Sequence, residues 1–263
     1  MVGTGRGEMD SEKMDAEFDV VADWTRAAVE QLGADHAIPA GCRGSASPSA
    51  LAWLAEALEF TAGTRLLDLG AGIGGPAAWA VRRYGVRPVL ADPMEGACRA
   101  AARLFGLPAF EADGTAVPLR TASISTAWCL GVLCTVEDKA GLLAELHRVL
   151  APGAGLGLLV LVAQTTHLDP IPAGNSFPTQ TELQDLLSQS GFTIEEQVAD
   201  PRDTPSSWTR RTDRVDALIR RQHHDDKAYL QAEEQEDRLG VLLSSGQLSS
   251  QLLHATRSSR AWS

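Results

Sequence analysis

Short apolar runs that alternate with helix-period segments predict an α/β fold on a doubly wound, seven-stranded parallel sheet. Three observations carry this reading. The runs "RLLDLG" (65–70), "RPVLAD" (87–92), "PAFEAD" (108–113) and "SISTAWCL" (123–130) recur with helix-length segments between them. "LGLLVLVA" (156–163) is apolar at every position, as a strand buried on both faces must be. Two further strand patterns, "FTIEEQVA" (192–199) and "SSQLLHATR" (249–257), flank a long charged helical segment.

In chain order, residues 1–15 are rich in Gly, Glu, Asp and Lys and read as disordered. From Phe18 to Leu32, the spacing of Val20/Val21, Trp24, Ala27/Ala28 and Leu32 is helical. "PAGCRGSASPSA" (39–50) reads as a loop, and "SALAWLAEALEF" (49–60) as a second helix ending near Gly63. Residues 76–84 read as a helix that begins at Pro76, where a missing N–H costs nothing, with Gly85 beyond its end. Helices follow over 94–105 and 137–150, the latter with Leu142/Leu143, Leu146 and Val149/Leu150 on one stripe and "APGAG" as its stop. Thr179 with Glu182 three residues on forms a capping box for a helix that ends at Gly191. Residues 206–245 read as helical and charged, with Trp208, Val215 and Leu218/Ile219 on one side. The implied organisation is a helical cap over 16–62, a nucleoside-binding sheet domain over 63–203 and 247–258, and a helical lid over 204–246.

The formal charge of −11 on 263 residues gives no electrostatic footing on nucleic acid or anionic membranes, so small molecules are the expected partners. No apolar run approaches the ~18 residues of a membrane span, and the polar N-terminus lacks a signal-peptide core. Cys42, Cys98, Cys129 and Cys134 form no CxxC pair and no zinc spacing, and read as reduced thiols of a cytoplasmic protein. A monomer or homodimer is expected.

"LLDLGAGIGGPAAWAV" (66–81) holds the ligand question. Gly70, Gly72 and Gly75 satisfy the dinucleotide template G-x-G-x-x-G; Gly70, Gly72 and Gly74 satisfy G-x-G-x-G. Asp92, at the end of the next strand, suits any ribose diol and does not discriminate. Asp68 does, because a carboxylate two residues before the first glycine repels a pyrophosphate and attracts an ammonium or sulfonium. Asp113, in "EADG", is placed to accept a hydrogen bond from an adenine amino group. Three acids around one loop suit S-adenosylmethionine.

The stretches "LLDLGAGIGG", "VLADPM", "FEADGTAVPL", "STAWCLGVLCTVEDKAGLLAELHRVLAPGAGLGLLV" and "FPTQTELQDLLSQSGF" occur in an order and spacing that resemble the class I S-adenosylmethionine-dependent methyltransferases. They are closest to the small-molecule group called type 11, which is similar to ubiquinone- and menaquinone-biosynthesis enzymes, and they cover roughly Leu51–Glu195 plus the last strand. The resemblance implies a Rossmann-like sheet and S-adenosyl-L-methionine as cofactor, with S-adenosyl-L-homocysteine as product. It puts Asp68, Gly70, Ala71, Gly72 and Gly74 at the methionine end, Asp92 on the ribose, and Pro93 and Met94 against the adenine. Asp113 and Gly114 read the adenine edge, Cys129 and Leu130 lie under the sulfonium, and Arg43 approaches the cofactor carboxylate. Many relatives carry a histidine after the fourth strand; here Cys134 and Thr135 stand in that loop, so no base carries over.

Methyl transfer is an in-line displacement that needs alignment and water exclusion; a neutral hydroxyl or carbon acid also needs a base. His167, after the fifth strand, and His36, before the Arg43 loop, are the candidate catalytic residues. His147 reads as a surface residue, and "RRQHHDD" (220–226) as a solvated turn with acids at a helix start rather than a metal site. Trp24 and Trp208, on the two roof segments, with Cys134 and Tyr229, are the candidate substrate pocket, which points to a modest, largely apolar molecule. Such a protein methylates a small molecule in specialised metabolism. The alternative is a methyltransferase fold that binds the cofactor but catalyses a cyclisation or rearrangement; a nicotinamide oxidoreductase is the third reading.

Overall fold

A computed structural model describes the backbone of residues 4–258 and the side chains from residue 18 onward. Its centre is one seven-stranded sheet of β1 (Arg65–Leu69), β2 (Arg87–Asp92), β3 (Ala109–Glu111), β4 (Ile124–Leu130), β5 (Leu150–Ala163), β6 (Phe192–Ala199) and β7 (Leu248–Arg257). The order across it is β3-β2-β1-β4-β5-β7-β6, so winding reverses between β1 and β4. That reversal opens a crevice at the carboxyl ends of the strands, where ligands of such sheets bind. The pairs β1–β2, β1–β4, β2–β3 and β4–β5 are parallel.

Two differences from the expected all-parallel sheet have physical causes. β7 runs antiparallel to both β5 and β6. The segment between β6 and β7 leaves and re-enters at the same end of the sheet, where Leu248 lies opposite Ala163 and Gln251 opposite Ala199, so the returning strand runs backwards between β5 and β6. β5 begins at Leu150 rather than at 156, because "APGAG" continues the ladder through an irregularity between Ile124 and Thr126 of β4.

Helices cover both faces. α3 (Pro48–Ala57) and α4 (Gly75–Tyr84) bury Leu51, Leu54 and Ala80 with Leu66, Trp128 and Leu252. α6 (Lys139–Val149) and α7 (Gln180–Gln189) bury Leu142, Leu146, Leu183 and Leu187 on the other face. α7 starts from the predicted capping box, with Thr179 and Glu182 exchanging both bonds. α5 (Glu95–Phe105) sets Ala101 against Leu90 of β2 and Ala77 of α4.

The remaining helices form the cap: α1 (Thr4–Leu32), α2 (Ala37–Gly41), α8 (Ser206–His223) and α9 (Lys227–Ser244). Ala28, Val29, Ala37, Ala40, Val215, Leu218 and Ile219 make its own core. Three expectations change here. Residues 4–15, expected to be disordered, are the first turns of α1, a proline-free continuation of the packed 18–32 segment that propagates cheaply once that segment is held; residues 1–3 lie outside the described residues. The 39–50 loop contains α2, whose Pro39 and Ala40 are buried. α3, grouped by sequence with the cap, packs onto the sheet through Leu51 and Leu54. Among the described residues no helix is long and apolar enough to cross a membrane.

Candidate functional site

The glycine turn follows β1 directly. Gly70, Gly72 and Gly74 have φ of 70°, 52° and 82°, the left-handed region that a side chain opposes. Gly75 has no positive φ and serves another purpose: a Cβ there would sit 2.2 Å from the Gly41 carbonyl carbon. Gly75 thus lets α4 touch α2, and ties the cap to the turn. A Cβ on Gly72 would meet nothing within 4 Å, so this face of the turn is open.

Asp92 closes the turn from β2. Gly72 N–H donates to its Oδ2 at 2.7 Å, and Met94 N–H to its Oδ1 at 3.0 Å. Met94 packs with Ala22 of α1, Ile73 and Ala97, while Pro93 is exposed. α1 is anchored here: Gly96 N–H, in the first turn of α5, donates to Asp19 Oδ1 at 2.5 Å. Asp113 lies on the exposed rim beyond β3 and accepts from the Thr115 backbone N–H and hydroxyl through Oδ1. Gly114 leaves room for Leu142, 3.0 Å from where its Cβ would be.

Asp68 is 1% exposed. Burial pushes its carboxyl up to about 7; the Trp128 indole and the Ala77 N–H oppose this, and Asp92 adds to it. Asp68 Oδ2 and Trp128 Nε1 make no hydrogen bond of good geometry, although the two residues are register partners on β1 and β4. The Cys42 and Cys129 thiols nearby are pushed up by burial first and by Asp68 second. Ala71 and Leu130 are buried, in different apolar clusters.

The structure redistributes the other predicted residues. Arg43 does not turn toward the glycine loop; it donates to Asp216 of α8 at 3.0 Å and Glu236 of α9 at 3.2 Å, the carboxylates the lid presents. His36 is 8% exposed, with Nδ1 3.2 Å from the Gly33 carbonyl oxygen and Nε2 buried without a partner. His167 is exposed on the loop after β5, its backbone carbonyl accepting from the Thr165 hydroxyl at 2.7 Å. Cys134 is buried after β4, its thiol donating to the Gly131 carbonyl at 3.2 Å; burial raises it to about 11.

The four predicted pocket residues do not converge. Trp24 and Tyr229 share the cap core, whereas Trp208 packs on the α3 side of the sheet and Cys134 lies in the loop after β4. The 220–226 turn is not fully solvated: His223 stacks on Trp24 with centroids 4.1 Å apart. His147 is not a plain surface residue either; its ring meets Phe192 edge-on and its Nε2 accepts from Arg257. Among the described residues no group of His, Cys, Asp and Glu could hold a metal. The pairing of Trp128 with Asp68, the place of Cys42 beside it and Gly41 as the neighbour of Gly75 are not legible in the sequence, because each depends on strand register or inter-helix packing that local pattern does not encode.

The residues present fit an amino-acid nucleoside. A buried carboxylate with a partnerless oxygen, an open glycine turn and a second carboxylate at the end of β2 offer a cation seat and a diol acceptor.

Residues 67–158 match the methyltransferase-domain family model. The chain is 31% identical over 120 residues to methyltransferase GfsG of Streptomyces halstedii, a match that spans 43% of this chain and 43% of that protein, less than half its length. The fold is similar to the crystal structure of the [4+2]-cyclase SpnF, with a TM-score of 0.64, 22% identity and 79% of each chain covered. It is also similar to geranyl diphosphate C-methyltransferase from Streptomyces coelicolor A3(2), solved with Mg2+, geranyl diphosphate and S-adenosyl-L-homocysteine. There the TM-score is 0.59 and identity 15%, over 80% of this chain and 77% of that one. The doubly wound sheet and switch-point glycine turn give this chain the Rossmann-like fold of the class I methyltransferases, and its central segment, residues 67–158, is similar to a methyltransferase domain.

Proposed function

We propose that this protein binds S-adenosyl-L-methionine and transfers its methyl group to a small, largely apolar molecule of specialised metabolism. The observation that carries the cofactor assignment is Asp68, buried beside the glycine turn with an unpartnered oxygen. A pyrophosphate laid on this turn would meet Asp68 and Asp92 together, whereas an ammonium or sulfonium would neutralise them. Bound there, the cofactor supplies an electrophilic methyl group. Asp68 and the Gly70–Gly74 turn hold its amino-acid end, Asp92 its ribose hydroxyls, Met94 its base and Asp113 the adenine edge. Cys129 and Leu130 floor the sulfonium side.

The chain's own contribution is alignment and exclusion of water. Of the two histidines, His36 is the stronger candidate base: its buried Nε2 is free to accept a proton when Nδ1–H donates to the Gly33 carbonyl. His167 would need the loop after β5 to close. The expected setting is the cytoplasm, as a monomer or homodimer; the four buried, unbridged cysteines support a reducing compartment.

Calorimetry with S-adenosylhomocysteine and with NADH tests the cofactor. Only the former should bind, and Asp92→Ala should weaken it about 10- to 100-fold, the value of a charge-assisted hydrogen bond, with the circular dichroism spectrum unchanged. Tight NADH binding alone would overturn the reading.

A second reading is a cyclisation or rearrangement at the same site with the cofactor left intact. What favours it is the loop after β4, where the buried Cys134 thiol points back to Gly131 and no histidine stands; the likeness to a [4+2]-cyclase fits it. S-adenosylhomocysteine formation that tracks substrate turnover supports methyl transfer; turnover without it supports the second reading.

A further inference from the structure

Among the described residues only three buried side-chain polar atoms lack a hydrogen-bond partner: His36 Nε2, Asp68 Oδ2 and Trp128 Nε1. The last two are an acceptor and a donor on register partners of adjacent parallel strands, and so on one face of the sheet. Both residues are essentially inaccessible to solvent. An unpaired buried donor beside an unpaired buried acceptor is a costly arrangement that native structures rarely keep without a use.

The titratable side chains that face Asp68 are all acids, and two of them are neutral thiols. β2 contributes Asp92, the turn after α2 contributes the Cys42 thiol, and β4 contributes the Cys129 thiol. α4 contributes only the Ala77 backbone N–H. Arg43, next to Cys42 in the chain, is taken by Asp216 and Glu236 of the lid. The free protein thus has donors for an ionised Asp68 but no counter-cation, and its carboxyl sits up at about 7 because of burial.

We propose that Trp128 is a positioning residue for Asp68, and that this pair couples cofactor binding to release of one proton. The proposal rests on the reading of the glycine turn as the seat of S-adenosylmethionine. In the free protein near neutral pH, Asp68 is a mixture of acid and carboxylate. A ligand ammonium or sulfonium requires the carboxylate, so the acid form gives its proton to the buffer as the ligand enters. The anion so formed is then held by the Trp128 indole N–H, which closes on Oδ2. In the free state the contact between the two atoms falls short of good hydrogen-bond geometry.

The test uses calorimetry with S-adenosylhomocysteine in buffers of different ionisation enthalpy. From a free-state value of about 7, roughly three quarters of a proton should be released at pH 6.5, and affinity should be about eightfold weaker at pH 6.0 than at pH 7.5. Asp68→Asn should bind more weakly at every pH and release no Asp68 proton. Trp128→Phe, which keeps an aromatic ring but removes the donor, should move the midpoint of the affinity–pH curve upward. A purely structural tryptophan would lower affinity equally across the range. If Trp128→Phe does not fold, the indole 15N–1H resonance of Trp128, assigned in the intact protein, should titrate with a midpoint near that of Asp68 and shift on ligand addition. Binding with no proton release, or with the same pH dependence in Asp68→Asn, would overturn the coupling while leaving the cofactor assignment standing. Absence of binding at every pH would overturn both; a Trp128 resonance that does not titrate would overturn the role of Trp128.

Discussion

At the scale of single residues, two glycines in one turn do different work, and mutation separates them. Gly75 admits the Gly41 carbonyl, so Gly75→Ala must push α2 from α4 and should destabilise the fold by about 1–3 kcal/mol. Gly72→Ala meets no atom and strains only the backbone at φ 52°, which costs about 1–2 kcal/mol. Gly75→Ala should therefore lower the midpoint of chemical denaturation at least as much, and alone should loosen the cap, read as faster amide exchange in α2. If α2 exchange is unchanged in Gly75→Ala, the contact is not a structural tie. Asp68 was legible from the sequence as the residue that separates the two glycine templates. Its partner was not, since Trp128 lies 60 positions on and meets it only through the β1–β4 register.

At the scale of elements, the lid is held to the body by few charged links. Arg43 joins the loop after α2 to α8 and α9 through Asp216 and Glu236. These groups are partly exposed, so the pair is worth little to global stability, about 0–1 kcal/mol. Arg43→Ala should accordingly leave the melting temperature within a degree or two while raising amide exchange in α8 and α9. A large loss of melting temperature, or unchanged exchange, would refute this view of Arg43. The strands and helices of the sheet domain were readable because their apolar period and end signals are local: the Thr179–Glu182 box and the Gly85 stop stand where predicted. The cap was less readable. α2 has five residues and the pattern of a loop; it is helical because Ala37, Pro39 and Ala40 bury against neighbours.

At the scale of the whole molecule, Asp68 sets a pH dependence of stability with an unusual sign. A carboxyl raised from its ordinary value near 4 to about 7 on folding binds more protons in the folded state across that window. Its contribution is therefore fully present below pH 4 and is lost as pH rises through 7, on the order of 4 kcal/mol in all. Asp68→Asn should unfold at a higher denaturant concentration than wild type at pH 8, and the gain should vanish at pH 4. Glu145, held low by the Arg148 guanidinium, has the opposite sign and loses its contribution only in acid. Equal effects of Asp68→Asn at both pH values would contradict a buried, raised carboxyl. The cost at neutral pH is what a cationic ligand would relieve.

The sequence by itself determined the α/β class, the seven strands, the insertion before the last of them and the acids around the glycine turn. Those follow from period, end signals and charge, which act over a few residues. Tertiary structure alone decided that β7 runs backwards, that Arg43 faces the lid, that Trp24 and Trp208 belong to different clusters, and that Asp68 meets Trp128 away from any cation. Each of these depends on where segments far apart in the chain dock, and docking is settled by the burial of shared apolar surface, which no local pattern records.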